Sequence, residues 1–361
     1  SPAGDAITGN LRINSSGVVT IHALEVEGTF KLNGNSTATG HNLFIGDAAG
    51  EDLTTGLRNT AIGSVALRQL TTADECTAVG YAALNATTTG INNTAFGRSA
   101  VQANTTGRDN TGVGYLALFK NTTGDYNVAV GSDCLSENTT GTYNVGIGYQ
   151  ALEQNTTGTV LVGIGFRALE ANTTGNSNTA VGYEALKLNT SGIGNTAFGR
   201  ESLEDNTSGN YNTALGGQAL QNNTTANSNT AVGYAAGYSN TTGNSFVSIG
   251  YQAMYFNTTG NESVAVGYQA GHYNQTGNYN TWLGYSAGLG ASGNSNSHNV
   301  GIGWGALNYV TTGTYNVAIG SQALRNNTSA NSNVGVGYGS LYSNTTGATN
   351  VAVGFQAGYS G

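Results

Sequence analysis

A glycine recurs at every seventeenth position from Gly46, Gly63 and Gly80 onward to Gly284, and again from Gly303 to Gly354, with one interval of 19 between the two runs. The residues around it recur too, so the chain carries nineteen copies of one unit, the last cut short by the C-terminus. A fixed short period of this kind describes stacked supersecondary units, each leaning on its neighbours, and not a globular core. It overrides the two or three domains that 361 residues would otherwise suggest.

Inside the unit the residue before the glycine is Ile, Val, Leu or Phe in every copy, and the third before it is Thr or Val in eighteen, Leu43 being the exception. β-Branched residues two apart, beside glycine, predict a strand. Between them sits mostly Ala or Gly, as at Ala61, Gly112, Ala129, Gly163 and Ala231. Neither parity carries a charge, which predicts a strand covered on both sides. One side is expected to face the coil's own interior and the other to meet identical chains around an axis. The Ala/Gly parity, small enough for backbones to approach, is assigned to the contact between chains. The predicted fold class is therefore all-β, a parallel β-solenoid or β-roll of nineteen 17-residue coils assembled as a trimeric fibre.

The rest of the unit follows the same logic. An aromatic residue stands one after the glycine in twelve copies, Ala and Leu three and four after it, and charges such as Glu153, Glu170, Lys187, Glu204, Asp205 and Arg325 five or six after it, an expected solvated ridge. Asn-Thr-Thr-Gly closes the coil with turn chemistry, in which Asn and Gly would supply positive φ. Asn also stands four before the glycine in fifteen copies, a stacked amide column that satisfies itself and is structural. At one strand spacing per coil, roughly 4.8 Å, nineteen coils would make a rod on the order of 90 Å. This shaft is assigned to residues 41–361. Residues 1–40 lack the repeat; short apolar stretches between Leu11 and Leu32 suggest strands of a capping or attachment segment. Coil fifteen is irregular, with Trp282 in the small-residue column and two extra residues between Leu289 and His298, predicting locally splayed packing and a bulged loop.

At Asn127-Val-Ala-Val-Gly131 and Asn144-Val-Gly-Ile-Gly148 the unit resembles the head repeat of YadA-like trimeric autotransporter adhesins. The longer phrase Asn-Thr-Ala-Val-Gly-Tyr-x-Ala-Leu-x-x-Asn-Thr-Thr-Gly is similar to shaft repeats of bacteriophage tail fibres. The resemblance covers residues 41–361, although the unit is longer than the adhesin one. It implies a homotrimer of side-by-side parallel β-rolls, a structural and adhesive role in host attachment, and a place in a virion tail fibre or at an extracellular cell surface. It implies no catalytic residue.

Composition bears on the alternatives. A net charge of −8 argues against a nucleic-acid partner, and no apolar run approaches the ~20 residues that membrane insertion requires. No catalytic residue, metal site or cofactor is predicted. His22, His41, His272 and His298 are scattered, the turns lack the Asp that calcium solenoids need, and the Gly-x-Gly pairs open no helix. A glycan-degrading tailspike would need two carboxylates at a defined separation, whereas Glu51-Asp52 and Glu204-Asp205 read as solvated charge. An ice-binding β-solenoid is the alternative from another class, since Thr recurs eight after the glycine at Thr105, Thr122, Thr139 and Thr156. Cys76 and Cys134, three coils apart, read as buried free thiols. Asn104, Asn121, Asn138 and Asn155 match the glycosylation pattern, but turn chemistry asks for the same residues.

The aromatic column is the best candidate for surface recognition: Tyr81, Tyr115, Tyr149, Tyr183, Tyr234, Tyr251, Tyr268, Tyr285, Trp304 and Tyr338. Rings along one line would give weak multivalent contacts with a host-surface glycan or receptor. The competing expectation, and the favoured one, is that they pack within the roll.

Overall fold

The computed structural model describes residues 41–360. The expected N-terminal capping or attachment segment and His22 lie outside the described residues. Nineteen strands of three residues run from β1 (Leu43–Ile45) and β2 (Thr60–Ile62) to β19 (Val351–Val353), each ending just before the repeat glycine. All are parallel, and each pairs with the strands before and after it in the chain, so they form a single sheet along one side of the stack. Register is one repeat throughout: Val145 lies beside Val162, Gly146 beside Gly163, Ile147 beside Ile164. Across the irregular interval Thr281 still meets Val300. The fold is a parallel β-solenoid, as the period predicted.

Backbone contact between coils explains the glycines. Gly114 has φ +135°, and a Cβ there would lie 2.5 Å from the carbonyl oxygen of Gly131 in the next coil. Neither the conformation nor the space admits a side chain. Away from the strand, the chain takes left-handed backbone at non-glycine residues two and four after the repeat glycine, such as Val65 (φ 53°) and Leu67 (φ 49°), and five before it, such as Tyr126 (φ 58°). Such conformations cost about 1–2 kcal/mol each. Hydrogen bonds to both neighbours offset this: the Val65 amide donates to Asp47 O in the preceding coil (2.8 Å) and the Leu67 amide to Ala83 O in the following one (3.0 Å). The turn Asn and Gly, expected to hold the positive φ, do not. Gly124 serves a different purpose, since its missing side chain leaves room for the Asn121 amide and the Gly141 carbonyl, although Ala73, Ala226 and Ala330 stand at the same place in other coils.

The core is thin and regular. The middle residue of every strand after β1 points inward and is buried (Ala61, Ala129, Ala180), together with the Ala-Leu pair (Ala151, Leu152), while Phe44 in β1 is half-buried. This corrects the assignment of the Ala/Gly parity to a contact between chains. Beside the Leu or Val column four after the glycine the interior is narrow at that position: a Cβ on Gly112 would already lie 2.5 Å from the Val101 methyl, and the larger Phe44 and Trp282 stand only where that column is glycine. The small residues let the strand approach its own coil.

Two buried Asn columns cross this interior. The strand Asn bridges to the turn: Asn110 Nδ2 donates to Gly124 O (2.8 Å), while Asn110 Oδ1 accepts from the Asn127 backbone amide (3.0 Å). The turn Asn stacks on itself: Asn121 Nδ2 donates to Asn104 Oδ1 (2.9 Å) and to Gly124 O (2.9 Å). Outside them, most first turn Thr residues donate their hydroxyl to the next coil's Thr carbonyl, as Thr105 does to Thr122 O (3.0 Å). The glycosylation alternative has no purchase on the folded chain, because Asn104, Asn121, Asn138 and Asn155 are fully buried.

We predict that Gly114→Ala lowers stability by about 3 kcal/mol or more in urea unfolding, combining strained φ with a backbone clash. Gly305, at φ +60° with nothing within 4 Å of an added Cβ, is the control. Gly305→Ala should cost about 1 kcal/mol.

Candidate functional site

The opposite parity of every strand faces out. Threonine or valine (Leu43 in β1) three before the glycine and Ile, Val, Leu or Phe one before it are half-buried to exposed along the whole stack, Ile62 at 37% and Phe198 at 58% among them. These two columns contain no charged residue. The result is a continuous uncharged face with the sheet behind it, one column apolar throughout and the other mostly Thr and Val, in place of the small-residue face that the sequence pattern suggested. Eighteen intervals at about 4.8 Å, and a strand about 10 Å across, give it roughly 860 Å², against the ~800 Å² per partner of a standard protein interface.

The aromatic column borders this face on the surface, not in the roll, which corrects the favoured expectation. Tyr81 is 55% exposed, and Tyr115, Tyr149, Tyr183, Tyr234, Tyr251, Tyr268, Tyr285, Trp304 and Tyr338 are exposed as well. The rings stack at the coil interval: Tyr234, Tyr251, Tyr268 and Tyr285 follow one another at 5.6, 5.2 and 5.0 Å, and Phe166 joins Tyr149 to Tyr183 at 5.6 and 5.2 Å. Tyr81 and Tyr115 are joined through the Arg98 guanidinium, 5.9 and 5.7 Å from their centroids. Trp304 has Arg325 over it at 5.8 Å, and Tyr338 stacks on Phe355 at 5.3 Å. Neighbouring rings cover one another's faces, so within a ladder the edges and hydroxyls are what a ligand would meet.

Further ladders escaped the sequence pattern. Five before the glycine, Tyr126 stacks on Tyr143 at 5.0 Å, and His298 lies between Tyr279 and Tyr315, 4.8 Å from each. Five after it, Tyr238 stacks on Tyr255 at 4.9 Å, with His272 next at 5.4 Å. These columns are discontinuous, so their signal is a recurrence of tyrosine at the repeat interval in only a few places. His272 is buried, its Nδ1 donating to Gln252 O (3.0 Å), and that burial pulls its pKa below the ordinary imidazole value.

The charged ridge is only partly solvated. Glu170 is buried and ion-paired with Arg167 (3.1 Å), and burial raises the carboxyls of Glu153, Glu204 and Asp205 above their usual range. Glu51 and Asp52 are exposed, as expected. Elsewhere opposite charges pair one coil apart, as Arg58 with Glu75 (2.8 Å) and Lys120 with Glu137 (2.6 Å). Both cysteines are free and buried, with burial pushing Cys76 up to about 11 and Cys134 up to about 12. Among the described residues no group of three His, Cys, Asp or Glu is placed to hold a metal ion, and no helix is long and apolar enough to cross a membrane.

Coil fifteen is tightly packed, contrary to the expected splaying. Trp282 in β15 (Thr281–Leu283) is fully buried. Glycine stands at 271 and 288, where most coils have Leu, and at 301 in the next strand. A Cβ at Gly271 or Gly301 would come within 2.7 or 2.8 Å of the indole, and Gly288 lies under its ring. The indole Nε1 has no partner. The bulge itself is real: Ala291, Ser292 and Gly293 form an exposed excursion. Asn294 then bridges to Asn274, resuming the turn column, and Asn280 donates to Asn296 O (2.8 Å) in place of the usual turn glycine. Three residues are gained and the second turn Thr is lost, giving the interval of 19 instead of 17.

A scan against protein-family models found no match for the chain, and a search of curated proteins found none either.

The glycine complement around the indole makes a compensation test. Trp282→Ala should destabilise by about 3–5 kcal/mol through the cavity it leaves. Adding Gly288→Leu, the residue other coils carry there in the same left-handed conformation, should recover about 2 kcal/mol in the same unfolding assay.

Proposed function

We propose that the chain is a structural and adhesive fibre: a rigid shaft whose copies associate side by side through the outer face of the sheet. The observation that carries this reading is the unbroken, uncharged face formed by the first and third residues of all nineteen strands, with Ile, Val, Leu or Phe in one column and mostly Thr or Val in the other. Monomeric soluble proteins seldom expose a contiguous apolar patch beyond a few hundred Å². A second copy is the occupant that fits, because only a surface repeating at the same coil interval matches it along its full length. The resemblance to adhesin heads and tail-fibre shafts supports three copies, and with them a virion tail fibre or extracellular cell-surface location. In that setting the shaft spaces and presents a host-contacting end, and the exposed rings and tyrosine hydroxyls offer repeated weak contacts to a host-surface glycan or receptor. Native mass spectrometry tests the assembly. The expected species has three times the 36.6 kDa mass of one chain, and a clean 36.6 kDa species would overturn the reading.

A second reading, an ice-binding solenoid, is favoured by one observation. Nine strands open with an outward threonine on a regularly spaced sheet, as at Thr60, Thr77 and Thr94. The turn threonines that first suggested it are engaged between coils. If the outer face binds ice, purified protein should depress the freezing point below the melting point; equal freezing and melting points dismiss it.

A further inference from the structure

We propose that Phe96 and Phe198 set the axial register between associated copies. The inference rests on the side-by-side association proposed above. A uniform periodic face has a defect as an interface: sliding one copy by a single coil, roughly 4.8 Å, exchanges each contact for an equivalent one and loses little overlap. Something aperiodic must oppose the slip.

The column before the glycine is Ile, Val or Leu in seventeen coils and Phe in two, Phe96 in β4 (Thr94–Phe96) and Phe198 in β10 (Thr196–Phe198). These rings stand 56% and 58% exposed, above every residue of the column except Val353 in the last described strand. Both occur in the same phrase, Asn-Thr-Ala-Phe-Gly-Arg, and Arg98 and Arg200 are the two coils' only departures to a cation at the position where aromatic rings are usual. Each marked coil therefore moves its ring across the glycine onto the outer sheet face. In parallel copies at zero offset, each protruding ring meets its own counterpart. A slip of one coil sets Phe96 against Val79 or Val113, β-branched side chains too short to fill the gap that the ring props open.

Two further arrangements also pair rings. The phenylalanines are six repeats apart, so a slip of six coils places Phe96 on Phe198, and an antiparallel pair centred on Ile147 does the same. Each leaves six strands of a copy uncovered. Only the parallel, unshifted arrangement pairs both rings and covers the whole face.

Cross-linking measures the register directly. In the full chain with Cys76→Asn and Cys134→Ala, the residues most other coils have there, Val232→Cys and Ile249→Cys chains are co-expressed. They are treated with a short bis-maleimide while folded. Position 249 meets 249 only in the parallel, unshifted arrangement, and 232 meets 249 after a slip of one coil. Links between equal positions should dominate. In a Phe96→Val/Phe198→Val background, which uses the commonest residue of the column and should leave the circular dichroism unchanged, the share of 232–249 links should rise roughly tenfold, the factor a ring pair at two levels can supply. An unchanged ratio between the two backgrounds overturns the proposal while leaving the association intact. Dominant 232–249 links with the phenylalanines present overturn it as well. A monomeric native mass with no cross-link in either background overturns the association itself, and the register proposal with it.

Discussion

Every feature of this molecule depends on the approach of one coil's backbone to the next at the glycine column. At Gly114 the neighbouring carbonyl occupies the space where a side chain would be, so coils stack at the distance of a strand pair over the full length of the described chain. That approach makes the sheet, aligns the two amide ladders and brings exposed rings into stacking contact, as Tyr268 with Tyr285 at 5.0 Å. It also makes local strain tolerable. Left-handed residues such as Leu67 and Tyr126 would be unfavourable alone, but each donates its amide to an adjacent coil, Leu67 to the following one and Tyr126 to the preceding one. Stability is then a property of neighbours, as in other quasi-one-dimensional proteins.

A narrow coil dictates what lies inside it. Ala, Gly, the Leu column and two rows of Asn fill the interior completely, and where a larger ring enters, glycine gives way around it. Trp282 with Gly271, Gly288 and Gly301 is one case; Phe44 against Gly50 and Phe246 against Gly237 are others. The β-branched side chains that a globular strand would bury are left outside. This inversion gives the coil an apolar exterior and links packing to function, since a stack of self-sufficient coils presents its greasiest columns to whatever lies beside it.

Much of this was legible in the sequence. The period located all nineteen strands, because a glycine forced by backbone contact cannot drift. The strand Asn column was legible for the same reason. Which parity faces inward was not, because the absence of charge on both parities removes the usual cue; only the coil's width decides it. The turn was misread through a general rule: Asn121 and Gly124 resemble positive-φ residues, yet one is a buried ladder member and the other makes room for it. The left-handed positions were invisible because ordinary residues such as Leu67, Gln150 and Glu184 fill them. The tyrosine column was found, but not its exposure, since an aromatic beside Ala and Leu suggests a core. The phenylalanines at 96 and 198 look in the sequence like ordinary members of an apolar column, and only the outer position of that column sets them apart.

The measurement that tests the account most directly is a density map of the assembled protein by electron cryomicroscopy, at a resolution that shows side chains. One strand, Thr179–Val181, suffices. The account predicts Ala180 enclosed by its own coil, with Thr179 and Val181 against a neighbouring copy. A map with the Ala column between copies and Val181 in the coil interior would contradict it.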